Sequence, residues 1–206
     1  GNPLRNNVLA AEEKKEEGAR FFNLDPQKPI ILLVGGSQGA LGINKGISAR
    51  LPEFKYVDYQ LIWQTGKFYI EQAQQEVKEL GLEDRVKPTV FIERMDLAYA
   101  CADVVISRAG AISISELSLV KKAVIFVPLP TAAEDHQTKN AQRLADEDAA
   151  IVVKNSEAEE KLIPVVFNLL KDSEKICEMQ KNIAKFARPN SAEDIVNEID
   201  KVLGLL

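Results

Sequence analysis

Short apolar runs recur along the chain, and each is followed by a longer stretch whose apolar residues fall at helical spacing. The runs predict strands over Pro29–Val34, Tyr59–Gln64, Val86–Phe91, Asp103–Ser107, Ala123–Val127 and Ala149–Val153. They are rich in Val, Ile and Leu and lack the in–out alternation of a strand with one wet face, so both faces are expected to be covered. Between them the pattern predicts helices over Ala40–Arg50, Lys67–Leu80, Arg94–Ala100, Ser113–Leu119 and His136–Asp146. Strands alternating with helices build βαβ units, and therefore a right-handed, doubly wound parallel sheet of about six strands.

After the last strand the rhythm changes to helices alone, over Glu157–Leu170, Glu174–Phe186 and Ala192–Leu203. A charged helix, Asn6–Gly18, precedes the first strand, and Gly18 suits its C-terminal cap. The expectation is one α/β, Rossmann-like domain over residues 1–206 with extra helices at both ends. In the last helix Ile195, Val196, Ile199, Val202 and Leu203 form an apolar stripe. It serves either this domain's own core or a neighbour outside the sequence.

Composition narrows the picture. An apolar share of 46% and a charged share of 28% over 206 residues is an ordinary globular mix that can bury a core. The net charge of -5, with no basic stripe, argues against a nucleic-acid module. Cys101 and Cys177 lack metal-ligand spacing and point to a reducing setting, while a single His136 excludes most histidine-based metal sites. No apolar run is long enough to span a membrane, and the opening residues do not read as a signal peptide. The sequence opens without Met inside the turn-like GNPLR, so a piece of a longer protein is expected.

Candidate chemistry sits in three loops that leave strand ends, where ligands bind in open α/β sheets. VGGSQGA, Val34 to Ala40, joins close-approach glycines to a helix N-terminus and suits a diphosphate, although it is neither a Walker loop nor the dinucleotide fingerprint. RAGAISISE, Arg108 to Glu116, carries two readings. Ser113 and Glu116 have capping-box spacing, and the same glutamate is placed to grip the hydroxyls of a ribose. PLPTAAEDHQTKNA, Pro128 to Ala141, crowds Glu134, Asp135, His136, Gln137 and Asn140 at a helix start, which suits sugar hydroxyls or plain N-capping by Asp135. His136 is a weak candidate for a general base.

Taken in order, GNPLR, GGSQGA, WQTGK, FIERMDLAYACADVVISRAGAISISEL and VPLPTAAEDHQTKNA resemble the MurG family of bacterial peptidoglycan GlcNAc transferases, over nearly the whole chain but only the family's C-terminal half. The resemblance implies a two-domain GT-B architecture and a UDP-GlcNAc-binding half. It implies that GlcNAc passes to the MurNAc 4-hydroxyl of lipid I, and that the chain alone binds donor without turnover. Arg5, Ser37, Gln38 and Gly39 would then lie on the diphosphate side, and Ile92 would meet the uracil through its backbone. Ala111, Ile112, Ser113, Ile114, Ser115 and Glu116 would wrap the nucleotide, with Glu116 on the ribose, and Gln137 would hold the GlcNAc. Gly36, Met95, Gly110, His136 and Asn140 are further possible contacts. No metal and no cofactor are implied, and the general base would come from the absent half. That half would also carry the membrane contact on the cytoplasmic side of the inner membrane, and receive the terminal helix, residues 187–206. Residues 1–20 would form the interdomain linker and first helix. A donor-binding subunit of a two-chain transferase and a non-catalytic nucleotide-sugar-binding module remain the alternatives.

Overall fold

In the computed structural model, which describes residues 14–36, 38–132 and 135–203, all six apolar runs become parallel strands. They are β1 (Ile30–Val34), β2 (Gln60–Gln64), β3 (Val86–Thr89), β4 (Val104–Ser107), β5 (Ala123–Phe126) and β6 (Ile151–Val152). One sheet holds them in the order β3-β2-β1-β4-β5-β6, so the winding reverses between β1 and β4. The register runs Ile31↔Leu61 on one side of β1 and Ile31↔Val104 on the other.

The strands lack alternation in sequence because each face has its own core. Ile31 and Leu33 point into a cluster with Ile43, Ile47, Ala73 and Val77, from α2 (Leu41–Arg50) and α3 (Ile70–Leu80). Ile30 and Leu32 point the other way, toward Tyr99 of α4 (Met95–Cys101), Leu117 of α5 (Ala111–Leu119) and Leu144 of α6 (His136–Ala145). The later helix α7 (Ala158–Leu170) returns to the first face and packs on α2, where Gly46 leaves no room for a Cβ against Ala158. A further helix, α8 (Ser173–Ala184), covers the second face through Ile183, and Asp172 caps it by accepting the Lys175 amide at 2.9 Å. The last described element is α9 (Ser191–Leu203).

Several expected boundaries move for identifiable reasons. The third strand ends at Thr89, the last residue paired with β2, and not at Phe91; β3 is an edge strand, where Pro88 is tolerated. The sixth strand keeps only Ile151 and Val152 of the five residues expected. The helix expected from Lys67 begins at Ile70, while the left-handed Gly81 ends it. A 3-10 turn over Leu51–Tyr56 follows α2 and has no counterpart in the apolar pattern. The first helix, α1 (Lys15–Phe21), overlaps only the end of the predicted Asn6–Gly18 helix, most of which lies outside the described residues. Gly18 is no cap: it sits mid-helix and buried, where a Cβ would run into the Leu97 carbonyl of α4.

The thiols form no disulfide; Cys177 is exposed, whereas burial pushes the Cys101 thiol up to about 12. Among the described residues no helix is long and apolar enough to cross a membrane.

One buried polar residue ties the fold to its ligand-facing edge. Asn44 of α2 is 1% exposed; its Nδ2 donates to the Thr65 carbonyl at 2.8 Å and its Oδ1 accepts from Trp63 Nε1 at 3.0 Å. Replacing it with Leu strands both partners in a dry core, at about 1–3 kcal/mol per orphaned group. Asn44→Leu is therefore expected to lower the urea midpoint by a margin equivalent to about 2–4 kcal/mol, with the denaturant slope unchanged.

Candidate functional site

The switch between β1 and β4 opens a crevice at the carboxyl ends of the strands, which is where such sheets take ligands. A cleft of about 750 Å³ lies there. Its wall includes Gly36 and Gly39 after β1, Arg108 after β4, Leu129 and Thr131 after β5, and Asn155 after β6.

The glycine loop is shaped by its neighbour. Gly36 and Gly39 have φ of 83° and 79°, and the Gly39 amide closes a turn onto the Gly36 carbonyl at 3.0 Å. A Cβ on Gly39 would enter the Thr65 carbonyl, and one on Gly66 would enter the Gln38 carbonyl. The turns after β1 and β2 thus touch through bare backbone. The following helix, α2, starts from an extended Ala40 with no side-chain cap and no acidic residue in its first turn. Its dipole therefore faces the cleft with no counter-charge in its own first turn, although Glu159 of α7 lines the same cleft. Lys45, one turn on, lines the same wall.

Arg108 closes the opposite side. Its Nη1 donates to the carbonyls of Val127 and Pro128 at 2.9 and 3.0 Å, which ties the exit of β4 to the exit of β5. Burial pulls its guanidinium below its usual value, though arginine stays charged at neutral pH. Gln137 joins from α6, with Oε1 accepting the Leu129 amide at 3.0 Å. Asn155 packs its Oδ1 over Gly42, and no group among the described residues satisfies that buried oxygen.

The expected nucleoside contacts gather beside this cleft, around α4 and α5. Met95 and Ile114 pack on the same core cluster, and Tyr99 Oη donates to Glu116 Oε2 at 3.0 Å. Burial first, then the adjacent carboxylate, holds the Tyr99 phenol well above its ordinary value. Gln64, 2% exposed at the end of β2, bridges the two regions: its Nε2 donates to the Gly36 carbonyl at 2.8 Å, and its Oε1 accepts the Ile92 amide at 3.2 Å.

The structure overturns the capping-box reading. α5 begins at Ala111 with Gly110 at the cap position and no side-chain cap, so Ser113 lies within the first turn. Ser115 back-bonds to the Ala111 carbonyl at 2.9 Å, Ile112 is exposed, and Glu116 faces Tyr99 instead of an amide. Asp135 does occupy the cap position of α6, but with φ of 54° and no side-chain cap bond. His136 is exposed and Asn140 half-buried at that helix start. Of the expected contacts, Gly36, Gly39 and Gln137 line the cleft; Gln38, Ile92, Met95, Gly110 to Glu116, His136 and Asn140 lie outside its lining. Arg5 and Ser37 lie outside the described residues.

Four residues that tie this site together escaped the reading of the sequence, and cleft-lining Lys45 was read only as part of a helix. Arg108 stood in the quoted RAGAISISE run but counted only as a strand exit, and Gln64 is the polar residue that closes an apolar run. Tyr99 and Asn155 had no local signal, since only the fold brings them to α5 and to the α2 N-terminus. Among the described residues no group of three or more His, Cys, Asp or Glu is arranged to hold a metal ion.

Residues 30–195 match the model of the glycosyltransferase family 28 C-terminal domain. The chain belongs to that family. This family 28 domain is 47% identical over 204 residues to a Parabacteroides distasonis protein named UDP-N-acetylglucosamine–N-acetylmuramyl-(pentapeptide) pyrophosphoryl-undecaprenol N-acetylglucosamine transferase; the match takes in 98% of this chain and 55% of that relative. A Bacteroides fragilis protein of the same name is 49% identical over 203 residues, covering 98% of this chain and 53% of its own length. The crystal structure of Acinetobacter baumannii MurG superimposes with a TM-score of 0.78 at 32% identity, covering 94% of this chain and 55% of that one. The family 28 domain therefore spans about half the length of the curated relatives it matches.

Proposed function

We propose that this family 28 domain is the donor-binding half of an inverting transferase that moves GlcNAc from UDP-GlcNAc to the MurNAc 4-hydroxyl of lipid I, giving lipid II for peptidoglycan. The observation that carries the reading is the convergence of the glycine loop, the uncapped start of α2, Arg108 and Gln137 on one crevice at the switch point. Each suits part of a nucleotide sugar, and relatives at 47–49% identity carry the name of that transferase.

In this reading the diphosphate lies over the loop amides after β1, with Lys45 and Arg108 near enough to offset the charge that grows on departing UDP. Arg5 and Ser37 join that side. The Ile92 amide is engaged by Gln64, so uracil contact from this residue runs through its carbonyl. Ala111 to Ser115 follow the nucleotide, Glu116 accepts from the ribose, and Gln137 turns to the GlcNAc with His136 and Asn140 close by. The acceptor oxygen attacks the anomeric carbon from the face opposite UDP, and the base that takes its proton belongs to the other half of the protein. That half also makes the membrane contact on the cytoplasmic face. It receives α9, on which Ile195, Val196, Ile199 and Val202 stand exposed in this chain.

Calorimetry with UDP-GlcNAc is expected to give saturable binding to the chain, while incubation with UDP-GlcNAc and lipid I is expected to give no lipid II. Transfer by the chain alone, or absence of saturable binding, overturns the reading.

A further inference from the structure

Tyr99 is 2% exposed, and its hydroxyl reaches across from α4 to Glu116, the single carboxylate on α5. A buried phenol needs an acceptor, and any nearby carbonyl would satisfy it. Here the acceptor is a half-buried carboxylate that stands one turn and a half into the helix leaving β4, on the element that follows the cleft-lining Arg108 but itself outside the cleft lining. A carboxylate has about four acceptor positions, and the phenol occupies one of them, on Oε2. The bond thereby restricts rotation of the carboxylate plane and leaves the remaining positions for outside donors. α4 begins three residues after Ile92, so the same tyrosine ties the base-side loop to that carboxylate.

We propose that Tyr99 is a positioning residue for nucleoside recognition: its hydroxyl sets the Glu116 carboxylate so that both oxygens accept from the vicinal hydroxyls of a ribose, and this makes the site selective for ribonucleotides over 2′-deoxyribonucleotides. The inference rests on the assignment of Glu116 to the ribose. Burial and the adjacent carboxylate keep the phenol protonated well above neutrality, so the donor is present across the working range.

The test titrates UDP and 2′-deoxy-UDP into the chain and into Glu116→Gln and Tyr99→Phe variants, with thermal melts of each. The parent chain is expected to prefer UDP by about tenfold or more, as follows from losing a hydrogen bond to a charged group. Glu116→Gln, whose amide oxygen still accepts from Tyr99, should bring that ratio close to one. Tyr99→Phe should reduce the ratio about threefold or more without unfolding the chain, and 3-fluorotyrosine at position 99, a stronger donor of nearly the same shape, should restore it. A ratio that collapses in Glu116→Gln but stays at the parent value in Tyr99→Phe leaves the ribose assignment intact and overturns the role of Tyr99. A ratio unmoved by Glu116→Gln overturns the ribose assignment itself. Should the Phe variant fail to fold, the fluorotyrosine variant decides, since a ratio below the parent's contradicts a role for donor strength.

Discussion

Glu116→Ala is expected to weaken UDP-GlcNAc binding by about tenfold to a hundredfold, because two hydroxyls lose a charged acceptor at about 1.5–3 kcal/mol each and water recovers part of the loss. A drop in melting temperature should accompany it. Tyr99 Oη donates to this carboxylate, so the alanine leaves a buried donor without its partner, at about 1–2 kcal/mol. For a chain of this size that corresponds to about 2–4 °C for each kcal/mol. The two effects separate in Glu116→Gln, which keeps an acceptor for Tyr99 and removes the charge. Affinity should fall there while the melt stays close to the parent. Calorimetric titration with parallel melts reads both. If Glu116→Ala loses stability with no loss of affinity, the carboxylate serves the fold alone, and the ribose lies elsewhere along the crevice.

The capping box and the observed partner of Glu116 differ in a way that separates local from non-local information. Spacing of Ser113 and Glu116 describes one turn of helix, and a helix that starts two residues earlier makes that spacing irrelevant. Nothing within the run reports that Tyr99, seventeen residues upstream, stands opposite. The strands were legible because burial on both faces writes itself as unbroken apolar runs, and right-handed crossovers then give a doubly wound parallel sheet. The order of its strands is read only from the structure. Boundaries were less so: β3 stops where its pairing with β2 stops, which is a property of two segments and not of one. Gly18 carries the same lesson. A glycine after a charged helix reads as a cap, yet its lack of a Cβ is used sideways, against the Leu97 carbonyl. The loops after β1, β4 and β5 announced themselves by residue type. Gln64, which ties the loop after β1 to the segment after β3, and Arg108, which ties the exits of β4 and β5, did not, because a single polar residue at a strand end has no pattern around it.

The glycine loop offers the largest expected effect and an internal control. Gly36 and Gly39 both have positive φ, where a side chain costs about 1–2 kcal/mol. Their surroundings differ. A Cβ on Gly36 would meet nothing within 4 Å, whereas one on Gly39 would enter the Thr65 carbonyl, the same oxygen that Asn44 Nδ2 already holds at 2.8 Å. That carbonyl cannot retreat without breaking its bond to Asn44, which in turn accepts from Trp63 Nε1. The strain must then be taken up by the loop itself, adding about 1–3 kcal/mol of overpacking. Gly39→Ala is therefore expected to lose about 2–5 kcal/mol of stability and, if the proposed donor site is right, to abolish measurable UDP-GlcNAc binding, since the displaced backbone is the surface proposed for the diphosphate. Gly36→Ala should lose only about 1–2 kcal/mol and retain donor binding with reduced affinity. Urea unfolding and calorimetry on the two variants make the comparison. Equal losses in both would mean that backbone conformation alone governs the loop. A larger loss at Gly39 would show that the contact between the turns after β1 and β2 holds the diphosphate surface in shape.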